Sequence, residues 1–426
     1  MRVYIETYGC ALNRADTGLI VELLKAHGYS IVSSIDEADV IIINTCTVRK
    51  DTEERMIERI KYLRKIALKN KSILAVVGCM AKAQPSLILK IAPEASLVSP
   101  ANIRQLPAIL KERKRAILIG GYERDRKQIP MIIDGVIATI AICEGCLSQC
   151  SYCIVKYARG HLQSYPPELI VERVKEAIKQ GAKEIQLTAQ DTAAYGYDIG
   201  LKLTGLLKEI ISLDGDFMVR IGMMNPHLAL KILDELIEVL KHPKVYKFLH
   251  IPVQAGDDRL LKIMNRPYTV DEYRYLVKEL RSKIPEIAIA TDIIVGHPGE
   301  DEEAVENTIK LIKELMFDRI HVATYTLRPH TLAATMPQIP SKIKSERTKR
   351  IVKVAQEVTL AKHREKIGKI FDVLVTEYGK GQTVVGRTIN YYPVILHEKL
   401  NLGVRVKVKI IDATFYDLRG IVLSSP

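Results

Sequence analysis

The 426-residue sequence lacks the features of a chain that enters or crosses a membrane. No apolar run approaches the roughly 20 residues that a membrane-spanning helix requires. Residues 1–10 contain neither a helical apolar stretch nor a small-residue cleavage site, so we expect a strand there and not a signal peptide. These absences predict a cytoplasmic protein without a membrane partner.

Cysteine is scarce, and acidic residues are fewer than basic ones. An odd number of cysteines, seven, in a long chain without export signals argues against a disulfide scaffold and indicates metal or redox chemistry. The chain has 63 Lys and Arg against 50 Asp and Glu, a formal net charge of +13. This excess favours a polyanionic partner, RNA or DNA first, although the lysine-rich surface of a thermophile is the alternative.

Residues 1–115 alternate short β-branched strands with amphipathic helices, which predicts a small doubly wound parallel sheet. Three predicted strands each run directly into a cysteine. They are Val3–Thr7 before Cys10, Val40–Asn44 before Cys46, and Ile73–Val77 before Cys79. Ligand sites in such sheets lie beyond the carboxyl ends of the strands, so we expect these cysteines, the N-terminal triplet, to meet in space. Three ordinary buried cysteines are the alternative.

Residues 130–365 repeat the strand–helix alternation six times, which predicts a partial TIM-like (β/α)6 barrel. Strands are expected near 136–142, 184–189, 217–222, 246–252, 287–294 and 319–326, with helical patterns that include Pro167–Gln180, Leu228–Lys241, Asp271–Lys283 and Glu302–Leu315. Residues 366–426 have the pattern of short strands with polar turns instead, with strands expected at Val373–Thr376, Val384–Arg387, Arg405–Ile411 and Gly420–Leu423. They predict a small antiparallel β-barrel of a size typical of nucleic-acid-binding modules.

The strongest local motif is C-x3-C-x2-C, formed by Cys146, Cys150 and Cys153, the loop triplet. Three thiolates hold a cubane iron–sulfur cluster and leave one iron open, whereas an electron-transfer cluster usually takes four. The two triplets therefore suggest two clusters, each with a free iron. Counting Cys143 as a fourth ligand gives a structural zinc site as the alternative. Zinc sites usually place paired cysteines on two separate hairpins, so we expect Cys143 to be a core residue.

The whole sequence resembles the radical S-adenosylmethionine methylthiotransferase family. The matching motifs are Thr7-Tyr-Gly-Cys-Ala-Leu-Asn-Arg-Ala-Asp, Asn44-Thr-Cys-Thr-Val, Glu144-Gly-Cys through Tyr157-Ala-Arg-Gly160, Leu249-His-Ile-Pro-Val-Gln-Ala-Gly256, Met264-Asn-Arg266 and Thr291-Asp-Ile-Ile-Val-Gly-His-Pro-Gly-Glu300. At His297 the family more often has Phe. The last 60 or so residues resemble a TRAM domain, an RNA-binding fold.

The resemblance implies two [4Fe–4S] clusters and two molecules of S-adenosylmethionine per turnover. The loop-triplet cluster would cleave one molecule, and the N-terminal cluster would carry the sulfur that the second molecule methylates. Cofactor contacts are expected at the strand ends: Gln190 and Asp191 for the methionyl ammonium, Arg220 for the carboxylate or ribose, Gln254 as a further polar contact and Ile293 for the adenine. Arg220 as a surface ion-pair partner and Asp191 as a helix N-cap are the alternatives. Asn13 and Asn44 either orient cluster ligands or cap turns.

The implied reaction places a methylthio group on carbon 2 of an adenine in tRNA. The segment around residues 45–55, with Arg49-Lys-Asp-Thr-Glu-Glu-Arg, resembles the archaeal and eukaryotic branch, which acts on N6-threonylcarbamoyladenosine at position 37. The alternatives are N6-isopentenyladenosine in tRNA, a ribosomal-protein aspartate, and a non-catalytic iron–sulfur RNA-binding sensor. The implied partners are the tRNA anticodon stem-loop, a flavodoxin- or ferredoxin-type electron donor and a sulfur source. We expect a monomer.

A basic segment and the C-terminal module are the expected RNA surface. Residues 341–369 carry ten Lys or Arg against three Glu, although a solvated helix face is the usual role of such a run. Within the module, Arg387, Tyr391 and Tyr392 are expected to contact bases. Truncation near residue 366 is expected to weaken tRNA binding and leave the barrel chemistry intact.

Overall fold

Three separate β-structures organise the chain in a computed structural model that describes residues 1–48 and 50–424. They are a six-stranded sheet, an incomplete barrel and a small closed barrel. Arg49, part of the segment that resembles the archaeal and eukaryotic branch, lies outside the described residues. Within the described part of the chain, no helix combines the length and the apolar character needed to span a membrane.

The N-terminal sheet is parallel throughout, with strand order β2-β1-β3-β4-β5-β6. Its elements are β1 (Arg2–Thr7), α1 (Ala11–Ala26), β2 (Ser30–Ile31), β3 (Val40–Thr45), α2 (Lys50–Asn70), β4 (Ile73–Gly78), α3 (Cys79–Ala83), α4 (Pro85–Ile91), β5 (Ser96–Val98), α5 (Leu106–Glu112) and β6 (Ile117–Leu118). Strand β3 is buried along its whole length, as its β-branched sequence predicts for a strand covered on both faces. The predicted doubly wound sheet is confirmed, with the three predicted strands within one residue of their observed ends.

Six parallel strands form the central barrel in two sheets, β12-β11-β8 with β7 antiparallel at its edge, and β13-β14-β15. The elements are β7 (Met131–Asp134), β8 (Ile137–Ala141), β9 (Cys143–Glu144), α6 (Val155–Arg159), β10 (Gln163–Ser164), α7 (Pro167–Lys179), β11 (Glu184–Thr188), α8 (Leu203–Ile211), β12 (Met218–Ile221), α9 (Pro226–Lys231), α10 (Leu233–Lys241), β13 (Phe248–His250), α11 (Asp258–Ile263), α12 (Val270–Lys283), β14 (Ala288–Val295), α13 (Glu302–Leu315), β15 (Arg319–Thr324) and α14 (Ser341–Arg364). A bridge between Val219 and Val245 joins the two sheets. The predicted incomplete barrel is confirmed.

Capping side chains explain why two predicted helices begin where they do. Thr269 and Glu272 form a reciprocal capping box at the start of α12. Asp301 accepts the backbone N–H of Ala304 at the start of α13. The single helix predicted over 228–241 is instead two helices, because Ile232 leaves the helical region (φ −121°, ψ 16°) between α9 and α10.

Helix α14 runs the full height of the barrel. Near its start, Lys344 packs against Gly296, just beyond the carboxyl end of β14. At its other end, His363 bonds through Nδ1 to the Thr414 carbonyl oxygen (2.7 Å), in the C-terminal module. Its 24 residues give a length of about 36 Å. The basic segment predicted at 341–369 is therefore largely one helix that connects the two ends of the barrel.

The C-terminal module is a closed barrel with strand order β16-β17-β18-β20-β19. Its strands are β16 (Ile370–Tyr378), β17 (Val384–Arg387), β18 (Pro393–Leu396), β19 (Arg405–Ala413) and β20 (Leu418–Ser424). The predicted small barrel is confirmed, with two departures. Strand β18 was not predicted, and it pairs in parallel with β20. Directions cannot alternate all round a closed ring of five strands, so one neighbouring pair has to be parallel.

The C-terminal module is docked on the amino ends of the central strands and shares a hydrophobic core with them. That core combines Met218, Tyr246, Phe248, Ala288 and Ala290 of the central barrel with inward-facing residues of β16 to β20. Truncation near residue 366 would expose this core, which argues against the prediction that such a truncation leaves the barrel chemistry intact.

Two tyrosines of the module point into this interface instead of towards solvent. The Tyr391 hydroxyl donates to Glu184 Oε1 (2.6 Å), and its ring lies 4.8 Å from that of Tyr246. The Tyr392 hydroxyl donates to Asp318. The prediction that Tyr391 and Tyr392 contact RNA bases is therefore wrong. Arg387 is turned inward too, over the Tyr391 ring and paired with Glu377.

Candidate active site

A cavity of about 1360 Å³ lies between the carboxyl ends of the N-terminal sheet and those of the central barrel. Six of the seven cysteines line it: Cys10, Cys46, Cys79, Cys146, Cys150 and Cys153. The seventh, Cys143, is fully buried in the barrel core, as predicted. The fold thus brings the N-terminal and loop triplets to one cavity and leaves Cys143 out, which does not favour a four-cysteine zinc site.

Strand register assembles the N-terminal triplet. Strands β1, β3 and β4 are neighbours, and Thr7, Asn44 and Val77 lie level with one another across them. Each strand then delivers one cysteine within three residues. Burial, with the neighbouring Cys79 thiol, raises the pKa of Cys46 to about 12. Such thiols become thiolates when a metal binds, which fits a site built for iron.

Two glycines allow the cysteine-bearing turns to approach each other. Gly9 has φ +112°, and a Cβ there would lie 2.6 Å from the Cβ of Cys46. Gly78 has φ +94°, and its Cβ would lie 2.3 Å from Asn44 Oδ1. Both positions require a residue without a side chain.

Asn13 and Asn44 are buried beside the N-terminal triplet and tie its turns together. Asn13 Nδ2 donates to the carbonyl oxygens of Tyr8 (2.9 Å) and Thr45 (2.8 Å), each of which closely precedes a cysteine. Asn44 Nδ2 donates to the Asn13 carbonyl oxygen (2.8 Å). These bonds hold the backbone that presents Cys10 and Cys46.

The loop triplet lies between β9 and α6 and is held in place by the other strand-end loops of the barrel. The bonds are Asn225 Nδ2 to Ser148 Oγ (2.9 Å), Asn265 Nδ2 to the Gln149 carbonyl oxygen (2.7 Å) and Ser151 N to the Met264 carbonyl oxygen (3.0 Å). Burial, then the nearby Cys150 thiol, raises the pKa of Cys153 to about 12. This loop is also shaped to present thiols to a metal centre.

His297, where the family more often has Phe, is fully buried against this loop. Burial lowers its pKa to about 4, so the ring is neutral. Its Nδ1–H donates to the Pro298 carbonyl oxygen (2.7 Å), and its Nε2 accepts from the Ser151 hydroxyl (3.0 Å). The histidine thus fills a ring-shaped space and adds a hydrogen bond to the cysteine loop.

Four of the five predicted cofactor contacts line the cavity: Gln190, Asp191, Gln254 and Ile293. Three of their acceptor oxygens, Gln190 Oε1, Asp191 Oδ2 and Gln254 Oε1, are buried and have no hydrogen-bond partner within residues 1–48 and 50–424. Each such group costs about 1–3 kcal/mol if left unpaired, so a ligand that donates hydrogen bonds fits here. Burial raises the pKa of Asp191 to about 6, and a bound cation would lower it again.

Arg220, the fifth predicted contact, does not lie among the cavity-lining residues. Its guanidinium carbon lies 5.7 Å from the Phe248 ring and 5.6 Å from the Tyr391 ring, towards the C-terminal module. The residue pairs with Gln186 in mid-strand, short of the strand end. The structure therefore does not bring Arg220 together with the other four.

Two buried arginines that touch the cysteines were missed. Arg266 donates from Nη1 to Cys150 Sγ (3.2 Å), and Arg159 donates from Nε to Cys79 Sγ (3.3 Å). Both lie in motifs that carry the family resemblance, Met264-Asn-Arg266 and Tyr157-Ala-Arg-Gly160. Their position in these two motifs was the signal from which Arg159 and Arg266 could have been predicted as site residues.

Two histidines and an aspartate also converge inside the barrel, from three neighbouring strands. Donor atoms of His250, Asp292 and His321 lie within 4.8 Å of one another, a spacing compatible with metal ligation. However, His250 Nε2 and Asp292 Oδ1 are already hydrogen-bonded to each other at 2.8 Å. The cluster is therefore a hydrogen-bonded His250–Asp292 pair beside a second histidine, His321.

Comparison with known proteins identifies the family. The profile described as Uncharacterized protein family UPF0004 matches residues 2–99, the Radical SAM superfamily matches 140–312, and the TRAM domain matches 364–423. A Methanocaldococcus jannaschii protein named probable threonylcarbamoyladenosine tRNA methylthiotransferase is 44% identical over 99% of this chain and 96% of its own length. The chain belongs to the threonylcarbamoyladenosine tRNA methylthiotransferase family. A human protein with that name is 35% identical over 98% of this chain and 73% of its own length.

Solved structures support the fold assigned to this member of the threonylcarbamoyladenosine tRNA methylthiotransferase family. The radical S-adenosylmethionine methyltransferase TsrM from Kitasatospora setae, with cobalamin and a [4Fe-4S] cluster bound, superposes with a TM-score of 0.61 at 14% identity, over 78% of this chain and 77% of its own. The cobalamin-dependent S-adenosylmethionine radical enzyme OxsB gives 0.55 at 11% identity, over 83% and 56%. At these identities the likeness concerns the fold alone.

Proposed function

We propose that this protein is a radical S-adenosylmethionine enzyme that converts N6-threonylcarbamoyladenosine at position 37 of tRNA to its 2-methylthio derivative. The observation that carries the proposal is the meeting of two cysteine triplets and a set of unpaired acceptor oxygens in one cavity. The names of its relatives and the TRAM match support the substrate class.

Each triplet would hold one [4Fe–4S] cluster and leave one iron open. Cysteine thiolates are the usual ligands of these clusters, and thiols whose pKa is raised by burial lose their protons when a metal binds. When bound at the loop triplet, such a cluster supplies an electron and an open coordination site for the cleavage of S-adenosylmethionine. The chain itself provides the bonds that orient both cysteine loops.

The unpaired acceptors would bind the cofactor, two molecules of which are used per turnover. Gln190, Asp191 and Gln254 accept hydrogen bonds from an ammonium group, and Ile293 offers apolar surface to an adenine ring. Gln254 is held at φ +70°, a conformation that costs a non-glycine residue about 1–3 kcal/mol. Backbone strain of this kind is typical of residues in functional sites, and here it fixes the direction of the Gln254 side chain.

The anticodon stem would lie along α14, between the cavity and the TRAM module. Four exposed cations, Lys342, Lys349, Lys353 and Arg364, are spaced 7, 4 and 11 residues apart, close to two, one and three helical turns. They therefore share one face, and none of the four forms an ion pair with another described residue. Arg350 differs, because it pairs with Glu302 and Glu306 of α13.

We also propose the remaining features of the system. The chain works as a cytoplasmic monomer with domains at 1–115, 130–365 and 366–426. An electron donor of flavodoxin or ferredoxin type and a separate sulfur source serve the two clusters.

Anaerobic reconstitution followed by mass spectrometry tests the function. With reductant, S-adenosylmethionine and tRNA carrying N6-threonylcarbamoyladenosine, we expect 5′-deoxyadenosine and the 2-methylthio nucleoside. The Cys10→Ala variant should make the first and not the second. Parallel reactions with isopentenyladenosine-containing tRNA and with a ribosomal-protein peptide should give no product. Product in one of those reactions instead would overturn the substrate, and a lack of 5′-deoxyadenosine would overturn the enzyme.

A further inference from the structure

Arg159 is a buried cation that joins the two cysteine triplets. It ends α6, six residues after Cys153, and its side chain is 1% exposed. Its Nε donates to Cys79 Sγ (3.3 Å), and one Nη donates to Asn13 Oδ1 (2.6 Å) and Asp16 (2.7 Å). The other Nη donates to Glu144 (2.9 Å). A residue of the loop-triplet segment thus binds a cysteine of the N-terminal triplet directly.

The charge of Arg159 is balanced by two buried carboxylates. Its guanidinium pairs with Asp16 at 2.7 Å and with Glu144 at 2.9 Å. Arg124 pairs with the same two carboxylates, Asp16 (2.9 Å) and Glu144. The four side chains form a buried quartet of two cations and two carboxylates, and Arg159 is the cation that donates to a cysteine.

Apolar packing fixes the same junction. Cys79, Ala83, Ile154 and Ala158 form a small buried cluster between α3 and α6. The loop triplet and Cys79 are therefore parts of one rigid contact between the N-terminal sheet and the barrel.

We infer that Arg159 is a positioning residue that also sets the redox potential of a cluster on the N-terminal triplet. This inference rests on the proposed function, which places a cluster there. An added electron makes the cluster more negative, and a guanidinium that donates to a ligand sulfur stabilises that state. Arg159 therefore raises the potential of the N-terminal cluster and ties Cys79 to the barrel.

The test compares Arg159→Gln with Arg124→Gln in the full chain carrying Cys146, Cys150 and Cys153 changed to Ala, so that only the N-terminal cluster remains. Both Gln variants remove one cation from the quartet, and only the first removes a bond to sulfur. In redox titrations followed by electron paramagnetic resonance, Arg159→Gln should shift the reduction equilibrium at least tenfold towards the oxidised cluster, 59 mV for one electron. Arg124→Gln should shift it much less.

The outcomes separate this inference from the proposed function. A parent variant without iron overturns both, because no cluster would exist for Arg159 to act on. Iron retained with an unchanged potential in Arg159→Gln, or an equal shift in Arg124→Gln, overturns the role of Arg159 alone. If Arg159→Gln does not retain iron, the Arg159→Lys variant provides the test. Lysine keeps the positive charge but cannot form the several hydrogen bonds of the guanidinium, so the reduction potential should lie below that of the parent variant. A potential equal to that of the parent variant refutes the inference.

Discussion

Replacing Lys349 and Lys353 by Gln should weaken tRNA binding and make the affinity less dependent on salt concentration. Each phosphate contact that is lost removes roughly 0.7 to 0.9 units from the slope of log affinity against log salt concentration. The two lysines are exposed, share one face of α14 and have no ion-pair partner in the described chain. We therefore expect the slope to fall by about 1.4 to 1.8 units.

Arg350 gives a matched control on the same turn of the helix. It belongs to the basic segment 341–369 that was predicted to bind RNA, but its guanidinium is occupied by Glu302 and Glu306. Arg350→Gln should leave the slope nearly unchanged, although it removes the same unit of charge.

Fluorescence anisotropy of labelled tRNA at four or more salt concentrations measures both slopes. Adding Lys342→Gln and Arg364→Gln to the double variant should lower the slope further, to a total of roughly 3 to 3.5 units. An unchanged slope in the double variant would leave this helix face as solvated surface. An equal loss in Arg350→Gln would mean that net charge, and not contact, determines binding.

Three further predictions concern the cavity and the docked module. Reconstituted protein should contain about eight irons per chain, changing either triplet to Ala should leave about four, and Cys143→Ala should leave the count unchanged in an iron assay. Affinity for S-adenosylmethionine should fall as the pH falls below about 6, because the raised pKa of Asp191 leaves that carboxyl protonated and unable to attract a cation, and equilibrium binding by Asp191→Asn should be weaker and free of this dependence. Tyr391→Phe should lower the free energy of unfolding by about 1–3 kcal/mol in denaturant titrations, because Glu184 loses a buried donor, whereas Tyr416→Phe, at an exposed residue, should not.

The helices, the strands and the meeting of the N-terminal cysteines could be predicted well from local sequence patterns. Short β-branched runs that end in a cysteine predict both a buried strand and the edge at which that cysteine emerges, which is why the N-terminal triplet could be assembled from 36- and 33-residue spacings. The predicted start of α13 at Glu302 is correct, and the bond that fixes it is also local, because the Ala304 N–H donates to Asp301 only three residues earlier.

Contacts between distant segments could not be predicted in this way. Arg159 and Arg266 reach cysteines 80 and 116 residues away, and no local pattern indicates which sulfur a guanidinium will meet. Arg220 was assigned to the correct strand but not to the correct depth in the barrel. Tyr391 has φ +65° and is partly buried because residues of the central barrel, more than 100 positions earlier in the sequence, cover it.

The core shared by the central barrel and the TRAM module has a consequence for inheritance and for engineering. A β-barrel attached by a linker could be exchanged between relatives as a cassette. Here an exchanged TRAM module would need its contact residues at the amino ends of the central strands, Met218, Tyr246 and Phe248. These residues lie more than 100 positions earlier in the sequence. The contact residues of the two modules are therefore expected to change together among relatives. A chimaera that joins the TRAM module of one relative to the barrel of another should unfold at a lower temperature, unless the contact residues of the barrel are exchanged as well.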